Sequence, residues 1–359
     1  MSRRHLIICI LPILASAFIS AESAVTFTAP RLKPGMASLE GMLQSSAGEF
    51  SGDIEDIVAN ALRKPEFMQG FSGAAANTVL IPSAIQEKGH YSLYLGSSAS
   101  IYSKDLSPSL ATHIRSLNAE SDEKLGACVQ PLVIRASVPL DRLFRGLFVG
   151  GNIGYMDAEA GDYGVWAFSG GLSLGYTLIK PKKGVIAWNG ISFLAGGDYA
   201  KNRITAVIKP GTISQEIPLD PDGEGPLVPI NVTLRLNPII KGGVESTLTS
   251  FSLAGSTGVT FLESISLFAG GGFSVARAQT GISIEADSQI QVEGYLSDLV
   301  VQQGKIAIKG TTEAEKSIVL GGFAQVGIQF NVGAFNITLP VIWKPRESLG
   351  TGVFMGVSF

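Results

Sequence analysis

From residue 90 onward, apolar and polar side chains alternate along the chain with a period of two, the signature of strands that bury one face. The clearest run is Trp166 to Leu178. There Trp166, Phe168, Leu172, Leu174, Tyr176 and Leu178 share one side, while Ser169, Gly171, Ser173, Gly175 and Thr177 take the other. Leu147, Val149, Ile153 and Tyr155 repeat the pattern against Gly150, Asn152 and Gly154. So do Ile265 to Val275, Leu320 to Val332 and Phe335 to Trp343. Ile230, Val232, Leu234 and Leu236 alternate with Asn231, Thr233, Arg235 and Asn237, which would then face inward. The last strand, Gly352 to Phe359, sets Val353, Met355, Val357 and Phe359 against Phe354, Gly356 and Ser358. Weaker strands are expected at 91–102, 132–138, 185–195, 204–208, 282–286, 290–296 and 306–308.

Trp166 and Tyr176 lie ten residues apart on one face, about 33 Å along a strand. A tilt near 40° reduces this to roughly 25 Å, the height of the apolar band of an outer-membrane barrel. The two residues are therefore read as the two interfacial girdles of one strand. Beyond the first residues, no segment supplies eighteen consecutive apolar positions, so helices cannot carry the hydrophobicity across a bilayer. A closed barrel satisfies the same backbone requirement with strands. The expected fold is all-β, a transmembrane antiparallel β-barrel of about 12–14 strands, even in number with both ends on the periplasmic side.

Three regions are expected. Residues 1–21 read as a secretory signal, with Arg3 and Arg4 before the apolar run Leu6 to Leu14 and a small-residue end at Ser20-Ala21. Residues 22–85 form a helical segment that plugs the barrel or caps it from the periplasm, and residues 86–359 form the barrel. In the middle region Ile54, Ile57, Val58 and Leu62 share one helical face. Acids at 53, 55 and 56 open this helix, Arg63 and Lys64 close it, and Pro65 is expected to end it. The polar insertions 103–124, 209–229 and 276–316 are expected as extracellular loops, the last with a strand extension beyond the membrane.

Composition agrees with this reading. The chain has 359 residues, 43 of them Gly, and only 16% are charged, with mean hydropathy above zero. Removing the signal takes away two arginines and no acid from a net charge of −3, which argues against a nucleic-acid partner. Only Cys128 remains after the signal, so no internal disulfide can form.

Gly171-Leu172-Ser173-Leu174-Gly175 matches the serine-hydrolase G-x-S-x-G pattern, but Ser173 sits in mid-strand where that chemistry needs a strand-to-helix elbow. The clusters Gly150-Gly151, Gly196-Gly197 and Gly270-Gly271-Gly272 lack the following helix of a dinucleotide loop. His90 and His113 have no partner at metal-ligand spacing, and the acids Glu120, Asp122 and Glu123 read as a solvated loop. No catalytic, cofactor or metal residue is assigned and no enzyme is expected. Arg135, Arg235 and Lys241 are candidates to line the lumen, or to sit at the membrane rim.

The stretches RKPEFMQGFSGAAANTVLIP (Arg63 to Pro82), KLGACVQPLVIRASV (Lys124 to Val138) and LFVGGNIGYM (Leu147 to Met156) carry a family likeness. The chain resembles the spirochaete outer-membrane barrels related to the leptospiral surface adhesin family. The resemblance implies a surface-exposed protein of a diderm bacterium's outer membrane that binds host extracellular-matrix proteins. Its further partners would be outer-membrane lipids and, through the strand ending in Phe359, the barrel-assembly machinery. A fainter similarity to long-chain fatty acid transporters, which place a helical plug before a barrel, implies the alternative of a passive channel or an uptake path for small or hydrophobic solutes.

Overall fold

A computed structural model describes residues 21–38, 40–41, 44–45, 65–85, 91–103, 125–179, 184–209, 212–219, 230–294, 296–312, 315–345 and 347–359. Its strands are β1 (Ala21–Thr28), β2 (Arg31–Leu32), β3 (Ser92–Ser103), β4 (Leu125–Pro139), β5 (Leu147–Ala160), β6 (Tyr163–Ile179), β7 (Ile186–Ile208) and β8 (Ile213–Leu219). They continue with β9 (Ile230–Leu236), β10 (Ile239–Phe261), β11 (Ile265–Gly294), β12 (Val300–Gln302), β13 (Gly304–Thr312), β14 (Glu315–Val332), β15 (Phe335–Lys344) and β16 (Ser348–Ser358). One α-helix, α1 (Pro65–Thr78), precedes β3.

Among the described residues, β3, β4, β5, β6, β7, β10, β11, β14, β15 and β16 pair in that order, all antiparallel, and β16 returns to β3. The ring is closed, so its ten strands leave no open edge within the bilayer. Ten replaces the expected twelve to fourteen. The runs expected at 230–236, 282–286, 290–296 and 306–308 lie beyond the ring in a second structure described below, those expected at 185–195 and 204–208 are one strand, β7, and ring strand β10 was not among the expected strands.

The side-chain parity read for Trp166 to Leu178 is the observed one. Leu172, Leu174, Tyr176 and Leu178 are exposed on the outside of β6, while Ser169 and Ser173 are buried inside. Every ring strand adds to this outer belt, from Leu93 and Leu95 on β3 through Phe251 and Leu253 on β10 to Val353 and Met355 on β16. Such a continuous apolar surface on the outside of a closed ring is a lipid-facing surface. The fold is a transmembrane antiparallel β-barrel. Tyr155 meets Trp166 edge to face with centroids 6.5 Å apart.

Short connections at 140–146, 180–185, 262–264 and 333–334 mark one end of the ring, together with Tyr91 and Phe359. The two residues exchange both backbone hydrogen bonds, at 3.1 and 3.0 Å, and stack their rings at 6.2 Å. The C-terminal aromatic thus closes the seam where the first and last ring strands meet. The opposite end carries the longer segments 104–124, 209–238 and 295–314. In barrels of this class, short turns face the periplasm and long segments face outward.

Inside the short-turn half, aromatic rings lie over cross-strand glycines. Tyr94 pairs with Gly356, Phe148 with Gly175, Phe268 with Gly327, Phe323 with Gly272 and Phe354 with Gly96. A methyl group on Gly175 or Gly327 would fall within about 2 Å of the ring it faces. Glycine is needed there because the ring occupies the space of a side chain.

The helix expected at 53–64 lies outside the described residues. α1 is described from Pro65, a first-turn position where the missing N–H costs nothing because first-turn donors have no helical partner. From Met68 to Ala84, every residue except Gln69 and Ser83 is buried. A helix buried on all sides sits in a core, and here the core is the lumen, since α1 contacts β3, β4, β10, β11, β14 and β16. The region expected as one helical segment, 22–85, is thus divided: the described residues 65–85 lie inside the ring, whereas Ala21–Thr28 and Arg31–Leu32 are strands that pair with β13 and β12.

Candidate functional site

Beyond the ring, β11 runs on for fourteen more residues after Thr280, the last to pair with β14, and collects new neighbours. On one side Ser283 to Ile290 pair with β13, which in turn pairs with β1; on the other Ile290 to Gly294 pair with β9, which pairs with β8. β2 and β12 form a small ribbon with register Val300 to Leu32. These strands enclose a hydrophobic cluster of Leu32, Val232, Leu234, Leu236, Ile290, Val292, Leu296 and Ile306, all buried, with Met36, Ile282 and Ile284 against it. The assembly is a head at the long-segment end with a core of its own.

This placement corrects several sequence expectations. Val232, Leu234 and Leu236 face the head core, not lipid, so Thr233 and Arg235 face outward from the head and not into a lumen. Arg235 forms an ion pair with Glu293 at 2.6 Å. Lys241 lies on the outer face beside Glu285, in a polar cleft that also includes Asp287, Gln289, Gln291 and Lys305. Of the three candidate lumen cations, only Arg135 is inside the barrel.

Charges on the outer face of the head pair across strands: Lys305 with Asp287 at 2.9 Å and Lys309 with Glu285 at 3.4 Å. All four are more than half exposed, so each pair adds at most about 1 kcal/mol. Closer to the ring, Glu245 accepts from Lys201 at 2.7 Å and from Arg203. It aligns with Gly281 of β11, past the last apolar outward residue of that strand, Val275. Its carboxyl is held below its usual range, first by the Lys201 hydrogen bond and then by Arg203 against a partial desolvation.

The lumen below α1 explains the hydrolase-like motif. Arg135 Nη2 donates to Ser173 Oγ at 3.5 Å, and Asn152 Nδ2 donates to Asp198 Oδ1 at 3.0 Å. A methyl group on Gly171 would strike the Asp198 carboxylate, as one on Gly175 would strike the Phe148 ring. Gly171, Ser173 and Gly175 serve lumen packing, Leu172 and Leu174 belong to the outer belt, and Ser173 stays in mid-strand with no elbow. A cavity of about 20 Å³ beside Ile85, Arg135 and Gln325 has room for about one water. His90, His113, Glu120, Asp122 and Glu123 lie outside the described residues.

A family model described as Lsa36-like matches residues 20–359. The chain belongs to the Lsa36-like family. The resemblance drawn from three stretches thus extends over almost the whole length. No curated protein matches the chain. Among solved structures, similarity reaches Ail, the attachment invasion locus protein of Yersinia pestis, at 11% identity, over 75% of this chain and 97% of that one, with a TM-score of 0.25. The translocator domain of the autotransporter NalP from Neisseria meningitidis matches at 9% identity over 87% and 98%, TM-score 0.32. The Ralstonia pickettii toluene transporter TbuX matches at 7% over 81% and 93%, TM-score 0.24. These scores are low, and the barrel rests on the closed ring and its apolar belt. The Lsa36-like chain is a surface barrel protein: a bilayer-spanning ring that bears a folded head.

Proposed function

We propose that this Lsa36-like protein is a non-enzymatic outer-membrane adhesin whose head and long segments bind host extracellular-matrix proteins while the barrel anchors them. The carrying observation is β11, which leaves the belt and continues without a break into the head. A ligand-binding surface built this way is held rigidly above the bilayer, and rigid presentation lowers the ordering cost of association. The paired charges on its outer face give a polar, mixed-sign surface suited to steering and selecting a charged macromolecule. The filled lumen supports binding over passive conduction.

The test uses full-length protein in lipid nanodiscs over immobilised matrix proteins. Saturable binding is expected, and it should drop at least tenfold when the 104–124 and 220–229 segments are replaced by short Gly-Ser linkers that leave ring and head core intact. Binding that survives both replacements, with β11 still protease-resistant, removes the role of these segments. In planar bilayers the intact protein should show no stepwise conductance; steady steps from the unmodified chain would favour the channel reading.

A further inference from the structure

We infer that the barrel is the transit path for its own N-terminal segment, which crosses the membrane inside the ring and is displayed on the outer face. The inference rests on the reading that the head faces outward, and it assigns the barrel a second role, with a stretch of its own polypeptide as the passenger.

The path can be followed through named contacts. β1 lies in the head, hydrogen-bonded to β13 from Ala21 opposite Thr312 to Thr28 opposite Lys305. Lys33 N–H donates to Leu299 of the same head at 2.9 Å. From Met68 the described chain lies inside the ring. The Thr312 hydroxyl lies 3.8 Å from Met68 Sδ, and Ser72 Oγ lies 2.6 Å from Thr280 Oγ1, both near the head. One turn and a half further, Thr78 Oγ1 lies 2.5 Å from Ser100 Oγ on β3. Ile81 packs beside Gly352, Ile85 lines the cavity with Arg135 and Phe148, and Tyr91 reaches the short-turn end against Phe359. Head, rim, lumen and periplasmic end follow in chain order. The first ring strand starts only after the chain has passed from one end of the ring to the other.

The wall is suited to this traffic. Polar atoms of Ser98, Gln130, Asn202, Ser250 and Ser274 are buried on the inward rows around α1 without a protein hydrogen-bond partner. The helix that meets this wall presents Gly70, Gly73, Ala74, Ala75 and Ala76 through its middle. Part of the wall is apolar, where Ala74 to Ala76 and Val79 pack on Cys128, Ala200, Leu248, Ala276 and Ala278; the unpartnered polar atoms beside it are what a permanent filling does not explain, because buried polar groups without partners oppose the packed state. Small polar wall residues instead suit a passage that accepts changing sequence, and a Gly- and Ala-rich helix is the narrowest segment to leave in it.

The test places single cysteines in a Cys128→Ser background of the full-length chain, exported in a diderm host and treated with a membrane-impermeant maleimide. Thr28→Cys in β1 and Gln291→Cys on the head are expected to label as fully in intact cells as in lysed ones. Arg142→Cys, in a short turn, should label only after the outer membrane is permeabilised. If Gln291→Cys labels and Thr28→Cys does not, the inference falls while the outward head stands. If Arg142→Cys labels in intact cells and Gln291→Cys does not, the outward reading falls with it. A Ser72→Cys, Thr280→Cys pair, added to Thr28→Cys, should cross-link in nearly all surface-labelled molecules, read as a disulfide-linked peptide by mass spectrometry. Surface-labelled molecules without the cross-link would overturn the lumen path.

Discussion

β11 passes through two environments in one strand, and its two faces exchange roles between them. From Ile265 to Val275 the outward residues are Ile, Leu, Ala, Gly, Phe and Val, and the inward ones include Ser266 and Ser274. From Ser283 to Glu293 the outward residues are Ser, Glu, Asp, Gln, Gln and Glu, and the inward ones include Ile284, Ile290 and Val292. The first half has its apolar face outside, the second inside. What changes is the solvent: hydrocarbon favours apolar side chains outward around the ring, and water favours them buried in the head. The first stretch spans about 33 Å of strand, or roughly 25 Å when tilted, so the switch at Arg277 falls where an apolar band of ordinary height would end.

Introducing the same side chain at two apolar positions would break this comparison if it were wrong. Leu234→Arg puts an unpaired charge at a site only 1% exposed in the head core. It is expected to destabilise the head by more than about 4 kcal/mol, the range reserved for buried charges and comparable defects. Limited proteolysis should then digest β8, β9 and β13 while the ring strands stay protected. A head that keeps its resistance would show that Leu234 does not sit in a dry core.

Leu172→Arg is the counterpart on the belt, at a position 74% exposed. In a water-soluble protein so exposed a change would move stability by no more than about 0.5 kcal/mol. On a lipid face it is expected to cost about 2–4 kcal/mol, measured by reversible urea unfolding in phospholipid vesicles. Gln291→Leu on the outside of the head should stay within about 0.5 kcal/mol in the same assay. Equal, near-zero effects for Leu172→Arg and Gln291→Leu would mean that Leu172 faces water.

Period-two alternation made the belt legible, because the parity of Leu172 against Ser173, or of Val353 against Phe354, fixes which residues share a face. It could not say what that face meets. Val232, Leu234 and Leu236 alternate as cleanly as any belt strand and point into protein. The distinguishing signal lies in the opposite row: Ser169, Gly171 and Ser173 are small and uncharged in the membrane, whereas Glu285, Asp287, Lys305 and Lys309 are charged in the head. Small residues fit a crowded lumen, where the charges Arg135 and Asp198 are held by Ser173 and Asn152, whereas the charges of the head meet water. The plug was hidden for a related reason. From Met68 to Thr78 α1 is buried at every position but Gln69, so this stretch has no apolar stripe to read. Arg135 was legible as a cation of the lumen or the rim and Asn152 as an inward residue, but Asp198 beside them comes from another strand and carries no local motif.

The smallest expected effect concerns the boundary itself. Glu245 stands outward at the level where the belt gives way, held by Lys201 and Arg203. Because its carboxyl titrates below the usual range in the folded state, the cluster's contribution is complete above the ordinary carboxylate pKa of about 4.3 and fades as pH falls through the lowered folded value. Glu245→Gln should therefore lower stability by a roughly constant amount, within about 1 kcal/mol, at neutral pH. As the solution is acidified below the ordinary carboxylate range, the difference should shrink toward zero, since the wild-type carboxylate is then protonated too. Urea unfolding in vesicles at a series of pH values reads this directly. Parallel curves for variant and wild type down to the lowest pH would mean that Glu245 gains nothing from its charge, and the edge of the belt would then have to be drawn from Arg277 alone.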